Sequence, residues 1–366
     1  MIPLFLHEFH QSLQAGFTAV NGWEMVAAYG AIGEEAKALR ETAGVIDLSA
    51  RSRVCLLGAD RARYLHGQVT NDVKKLTPGT GCYAALTTAK GKMEGDVNIL
   101  ALAEELLLDF EPGMTAKVTA RLEKFVVADE VQIVDAAPHY GLLSVQGPRA
   151  AEVIQALAIF ANLPTINLAS VKLSDGMLGE LYLVRHARWG RDGFDLYVPM
   201  AALGAVADRL IAAARTADGR AVGWTAAEMV RVEQGIPRYG EDMDETCLPL
   251  ECGIEARAVV YNKGCYLGQE VINRIHSVGH VNRELRGLRL HAAGGELPGK
   301  GTKLLHDGKE IGLLTSVVNS TLHGPIALGY VRREVNQPGK ILSLAGAANG
   351  GTAVISSLPF AVGTTR

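Results

Sequence analysis

The runs RELRGLRL (283–290), KLLH (303–306), KEIGLLTSVV (309–318), IALGYVR (326–332), KILSLA (340–345) and TAVISSL (352–358) decide the architecture of the last quarter of the chain. Each is short, rich in β-branched and leucine residues, and closed by Gly, Pro, Asn or Asp. Helical periodicity is lost from about residue 280. Short strands at this spacing predict a small β-barrel or sandwich. The boundary with what precedes falls near Ser277–His280.

Upstream the grammar differs. Residues 31–43 read as a helix stopped at Gly44. GVIDLS and SRVCLLG then read as a strand pair, and residues 59–70 as a helix with Asp60 at its cap. CYAALTTA and KMEGDVNILAL read as strands around the turn Ala89–Lys92, with a third strand at Glu104–Phe110. PGMTAKVTARLEKFV is a helix and VQIVDA a strand. GLLSVQG (strand), PRAAEVIQALA (helix) and LYLVRHARWGRDGFDLYVP (strand, turn, strand) follow. The helix after it carries Leu203, Val206, Ala207, Leu210 and Ile211 at helical spacing and ends by Gly219. Strands alternating with helices at short intervals predict an α+β fold.

The 366 residues suit two or three domains, and 48 % of them are hydrophobic, ample for true cores. Lys plus Arg total 36 against 39 Asp plus Glu, a net charge of −3, so nothing points to nucleic acid. Five cysteines, an odd number with no C-x-x-C spacing, argue for a reducing compartment rather than a disulfide framework. C-x4-C-x12-C with H-x3-H fits no compact zinc site. MIPLFLHEFHQ carries no basic leader, and no apolar run approaches membrane-spanning length. A cytoplasmic protein with no membrane association is expected.

Three places bear chemistry. In Met93-Glu-Gly-Asp-Val-Asn-Ile99, strand alternation puts Val97 and Ile99 on one face and Asp96 on the other. That face meets either solvent or a cavity, which Tyr83 on the preceding strand could cross. In Trp224-Thr-Ala-Ala-Glu228, Thr225 and Glu228 spell a capping box, with Trp224 and Met229 as its hydrophobic staple. The resulting register sets Glu233 in a stripe with Met229, Val230 and Ile236. A buried carboxylate needs partners, either a base such as Arg231 or Arg238 or the N–H edge of a ligand. In Asn262-Lys-Gly-Cys-Tyr-Leu-Gly-Gln-Glu270, Lys263 and Arg274 are cations that favour a thiolate at Cys265.

This last stretch resembles the K-G-C-Y-x-G-Q-E signature of the YgfZ-type folate-binding proteins, relatives of the glycine-cleavage T-protein, the aminomethyltransferase. Asn21-Gly-Trp23, Gly44–Ser49, Thr70–Val73, Gly91–Asp96, Arg231-Val-Glu233 and Arg238–Glu245 are similar to landmarks of the same superfamily. The resemblance covers nearly the whole chain. It implies two α/β lobes over residues 1–278 and a C-terminal β-barrel over 279–366, three lobes around a central channel that holds tetrahydrofolate or a one-carbon derivative. It implies Glu233 as the carboxylate facing the pterin. Tyr83, Tyr239, Arg231 and Lys263 are implied as further binding residues, and Asp96 and Cys265 as the reactive ones.

Two departures matter. Aminomethyltransferases carry two Asp residues where this chain has Gly95 and Asp96, and they lack the Cys265 signature. The resemblance therefore implies first an accessory protein that supports iron–sulfur client enzymes and tRNA modification through folate and Cys265. The alternative is a tetrahydrofolate-dependent aminomethyltransferase served by a lipoyl carrier protein, with Asp96 as its acid–base group. A degenerate scaffold with a filled channel is the third reading.

Overall fold

The computed structural model describes residues 1–291, 296–346 and 351–361. These divide into two units. The first comprises Met1–Leu86, Gly95–Ala227 and Asn262–Tyr266, and the second Thr87–Glu94, Glu228–Tyr261 and the chain from Leu267 onward. The fold is α+β, with two α/β sheet layers and a closed six-stranded barrel.

The first unit holds two main sheets. One runs in the order Thr80–Thr87, Met93–Ala101, Leu106–Phe110, Ser52–Leu57 and Gln132–Asp135. The other runs Ser170–Asp175, Gly179–Arg185, Gly193–Pro199, Tyr140–Gln146, Gly44–Asp47 and Arg220–Ala221. The helix Leu203–Thr216 lays Leu203, Val206, Ala207, Leu210, Ile211 and Ala214 against the second sheet, all buried. Each fully buried leucine or isoleucine there contributes roughly 1.5–3 kcal/mol. The first sheet has its own core, in which Val97 and Ile99 meet Leu86, Leu108 and Val118.

The structure corrects three expectations. GVIDLS and SRVCLLG are not paired. Gly44–Asp47 lies antiparallel to Tyr140–Gln146 and parallel to Arg220–Ala221, while Ser52–Leu57 pairs with Leu106–Phe110 and Gln132–Asp135. Both strands are nearly all buried, so each needs ladders on both sides, and neighbours distant in sequence supply them. The capping box is displaced as well. The helix Trp224–Glu233 starts before Thr225, its first bond running from Ala227 N–H to the Gly223 carbonyl. The Gly223 N–H donates to the buried Glu35 carboxylate, and a Cβ on Gly223 would lie 2.2 Å from the Ala27 carbonyl, so close approach sets the helix start. Asp60 does sit at the cap of Arg61–Gln68, but its carboxylate accepts from the Glu130 N–H and pairs with the Arg63 guanidinium instead of accepting from the first-turn backbone N–H groups. The hairpin Gly16–Val20 with Trp23–Ala28 was not read from the sequence.

In the second unit, Arg283–His291, Gly324–Arg332, Lys309–Ser320, Lys303–His306, Ile341–Leu344 and Thr352–Ser356 close the barrel in that order. Its core includes Leu288, Leu290, Leu304, Leu314, Ala327, Val331 and Ile355. The preceding helix ends at Val278. Residues 292–295, 347–350 and 362–366 of the expected barrel domain lie outside the described residues. No helix among the described residues is long and apolar enough to cross a membrane.

Candidate functional site

The Tyr83 hydroxyl donates to Asp96 Oδ2 at 2.7 Å, so the pair suggested by the sequence is in contact, with both residues half-buried. The strand Met93–Ala101 alternates. A Cβ placed on Gly95 would meet Leu86 and Val118 at 3.7 and 3.9 Å, both members of the hydrophobic core. Position 95 therefore faces the core and position 96 the opposite side. A carboxylate at 95 would be buried among aliphatic carbons, so Asp96 is the one of the two that stays clear of that core.

Tyr83 is fixed from behind. Its carbonyl accepts from Asn71 Nδ2 at 2.8 Å. The Asn71 carbonyl, with those of His66 and Val69, accepts a hydrogen bond from Lys263 Nζ, at 2.8, 2.6 and 2.6 Å. Three N–H bonds are all an ammonium has. Lys263 thus straps Asn262–Tyr266 to residues 66–71, and its cation also lies 4.7 Å from the Tyr266 ring centre. Burial pulls the Lys263 amine down to about 8 against the attraction of Asp72. Burial, reinforced by Lys263, likewise lowers His66. Cys265 is exposed.

In the second unit Glu233 is 2 % exposed, at the end of its helix. The Ser320 hydroxyl donates to its Oε1 at 2.5 Å, and its backbone carbonyl accepts from Phe360 N–H at 2.9 Å. Arg231 is equally buried but serves other acceptors. Nη1 donates to Asp242 at 2.6 Å and to the Ile236 carbonyl at 2.7 Å, Nη2 to Ser316 at 2.7 Å, and Nε to Glu228 at 2.9 Å. Asp242 also accepts from Ser316 Oγ, Thr315 Oγ1 and Arg238 N–H. The carboxylates of Glu228 and Asp242 raise the Arg231 pKa against burial. Arg231 therefore braces the segment Ile236–Asp242. Tyr239, inside that segment, is buried and forms a backbone bridge with Met243.

Sequence reasoning missed Ser320, Asp242, Ser316 and Asn71. Asn71 and Asp242 lie inside landmark segments, but the side chains they serve, and those served by Ser316 and Ser320, come from other parts of the chain, so local spacing does not signal their roles. Chemically, the first unit offers an oriented carboxylate–phenol pair, and the second a buried carboxylate acceptor on a braced helix end. Among the described residues no three His, Cys, Asp or Glu side chains cluster as metal ligands.

Residues 6–263 match the GCVT N-terminal domain, and residues 283–361 the glycine cleavage T-protein C-terminal barrel domain. Over 335 residues the chain is 30 % identical to an aminomethyltransferase of Rubrobacter xylanophilus, covering 90 % of this chain and 87 % of that protein. It is 28 % identical over 363 residues to an aminomethyltransferase of Nostoc sp., covering 97 % and 94 %. The crystal structure of glycine cleavage system aminomethyltransferase T from Bartonella henselae superposes with a TM-score of 0.86 over 98 % of each chain at 24 % identity, a likeness of fold. The chain thus belongs to the family of the GCVT N-terminal domain, here followed by the T-protein C-terminal barrel.

Proposed function

We propose that this protein is a tetrahydrofolate-dependent aminomethyltransferase. The observation that carries the reading is the orientation of Asp96, held by Tyr83 on the side of its strand away from the core that position 95 faces. The loss of the family's first Asp at Gly95 then leaves the outward carboxylate in place. This weighs the reading toward the enzyme and away from the accessory protein that the Cys265 signature implies.

In the proposed reaction, N5 of tetrahydrofolate attacks the methylene carbon of an aminomethyl group carried on the sulfur of a lipoyl arm. The carbon–nitrogen bond to the amine breaks, and ammonia leaves with the N5 proton; N10 then attacks the same carbon, the carbon–sulfur bond breaks, and the lipoyl thiol takes the N10 proton. Asp96 is the acid–base group for the folate nitrogen, and Tyr83 orients it. Glu233 accepts hydrogen bonds from the N–H edge of the pterin, and Ser320 fixes the rotamer in which it does so. Arg231 and Lys263 act as positioning residues, since their donors are committed to the protein. Tyr239 is a candidate contact carried on the segment Arg231 braces. The assignments in the two units rest on separate geometry: Asp96→Asn tests the first by ammonia release, and Glu233→Gln the second by tetrahydrofolate affinity.

The partner is a lipoyl carrier protein. Incubating the protein with an aminomethyl-loaded carrier and tetrahydrofolate should release ammonia and form methylenetetrahydrofolate. Binding of tetrahydrofolate without ammonia release overturns the reading. Exposed Cys265 in its signature favours one second reading, support of iron–sulfur clients or tRNA modification by a YgfZ-type protein. Iron–sulfur enzyme activity that falls in a Cys265→Ala strain, with no ammonia release by the wild-type protein, would select it.

A further inference from the structure

Arg53 is a buried cation that the proposed function does not use. It is 1 % exposed, on the strand Ser52–Leu57. Its Nη2 donates to the carbonyls of Tyr140 at 2.8 Å, Ser49 at 3.1 Å and Ala137 at 3.4 Å. Its Nε and Nη1 are equally buried and have no hydrogen-bond partner among the described residues. The polar contacts of this guanidinium are thus backbone carbonyls, with no carboxylate. Asp109, opposite it in the ladder, is held instead by Arg51 and Arg188, each at 2.8 Å. Burial pulls the Arg53 pKa down against the attraction of Asp109. A buried charge without a counter-ion is costly, so the place calls for an anion.

Strand alternation locates the space that this side chain lines. Val54 and Leu56 belong to the core of the first sheet, so Arg53, Cys55 and Leu57 face the other way. Leu181, Leu183, Leu196 and Val198 belong to the core of the second sheet, which turns Tyr182 and Tyr197 away from it. These two faces enclose a cavity of about 200 Å³, to which Arg53, Cys55, Leu107, Tyr140, Tyr182 and Tyr197 contribute. The rings of Tyr140 and Tyr182 meet edge to face at 6.1 Å. The cavity is separate from Asp96. Leu102 in its wall follows Asp96 by six residues along an extended chain, about 20 Å.

The lining selects the chemistry of an occupant. Unpartnered N–H groups on a cation favour an anionic acceptor. The aromatic and aliphatic walls favour an apolar body. An apolar cavity of about 150 Å³ holds benzene, so this one suits a single ring with a small substituent. Glu105 and Asp135 also line the cavity. Glu105 is engaged by the Cys55 thiol, and Asp135 accepts from the Ala137 N–H at 3.0 Å. Their charges disfavour a second negative charge on the ligand, which leaves a monoanion. Asp135 and His139 are exposed members of the lining, so the cavity opens to solvent beside them.

We propose that this cavity is a binding site for a small aromatic monocarboxylate, with the carboxylate on the Arg53 guanidinium and the ring among Tyr140, Tyr182 and Tyr197. The ligand supplies the counter-ion that the fold lacks. It binds the folded chain and not the unfolded one, because the cavity exists only where the two sheets meet, and so it stabilises the protein. The site is independent of aminomethyl transfer and of the folate that reaction uses.

The test uses the full-length protein with benzoate as the probe, followed by titration calorimetry and thermal unfolding. Benzoate should bind once per chain and raise the melting temperature. Benzamide, of the same shape but uncharged, should bind about tenfold more weakly or worse. Arg53→Met should abolish benzoate binding. Leu107→Trp, which fills the cavity and keeps Arg53, should abolish it as well, and circular dichroism shows whether each variant is folded. Saturating tetrahydrofolate should leave the affinity for benzoate unchanged. Wild type that takes up no benzoate at millimolar concentration overturns the proposal, as does equal affinity for benzamide, whether or not the variants fold. Undiminished binding by folded Leu107→Trp would put the probe elsewhere and overturns it too. So does displacement of benzoate by tetrahydrofolate, which would assign the probe to the folate site.

Discussion

Replacing Arg188 by Met removes the centre of a buried charge cluster and should cost about 3 kcal/mol at pH 8. Arg188 Nε reaches both oxygens of Asp195 at 3.0 and 2.9 Å, and Nη2 reaches Asp109 at 2.8 Å. Both carboxylates are fully buried. Removing one partner of a buried pair costs roughly 3–5 kcal/mol, because the other charge is left uncompensated. The lower end applies here. Asp109 keeps Arg51 Nε at 2.8 Å and Asn98 Nδ2 at 3.1 Å, and Asp195 keeps Ser144 Oγ and His186 Nδ1, each at 2.8 Å. His186 adds a pH signature. Burial first, then the Arg188 charge, lowers its pKa. Without Arg188 the imidazole takes up a proton more readily in the folded state and pairs with Asp195. The variant should therefore lose less at pH 6 than at pH 8. The assay is urea unfolding at the two pH values, followed by fluorescence, with buried Trp189 beside the cluster as local reporter. A loss under about 1 kcal/mol at pH 8 refutes the claim that these carboxylates depend on Arg188. Equal losses at both pH values refute the role given to His186.

Gly95→Ala should change stability by no more than about 0.5–1 kcal/mol, since its Cβ meets only ordinary contacts, whereas Gly95→Asp should cost several kcal/mol by burying a carboxylate. A melting temperature unchanged in Gly95→Asp would mean that position 95 does not face the core. Lys263→Met removes a charged donor from three carbonyls and should cost about 2 kcal/mol or more, read from urea midpoints. Wild-type stability should fall in acid. The arginine partners hold Asp109 and Asp195 below the ordinary carboxylate range, against burial. The folded state therefore resists protonation, and the stabilisation is complete above about pH 4 and lost as pH falls below it. A melting temperature flat between pH 6 and pH 3 would contradict this.

Local patterns carried the parts of the fold that are built locally. The short runs after residue 280, the turn at Ala89–Lys92 and the apolar spacing of Leu203–Thr216 were all legible. Strand partnership was not. Gly44–Asp47 and Ser52–Leu57 are four residues apart yet join different sheets, because both are buried strands whose partners come from far along the chain. The start of the helix at Trp224 was misread because Glu35 and a close backbone approach at Gly223, both tertiary, outweigh a local capping pattern. At the candidate site, alternation alone set Asp96 opposite Val97, and the helix register set Glu233 inward. Lys263 and Arg231 were legible as charges beside the motifs but not as braces, since their acceptors are carbonyls and carboxylates contributed by other segments. The Arg188 cluster left no trace in the sequence, its members being spread from Arg51 to Asp195.

The most direct test of aminomethyl transfer by this chain is single-turnover ammonia release from an aminomethyl-loaded lipoyl carrier protein, with wild type and Asp96→Asn compared at saturating tetrahydrofolate. The account predicts folate-dependent release by wild type, and a loss of about 10²–10⁴-fold in Asp96→Asn with tetrahydrofolate affinity nearly unchanged. Release at the same rate by both proteins contradicts the role of Asp96, and no release by folate-bound wild type contradicts the activity itself.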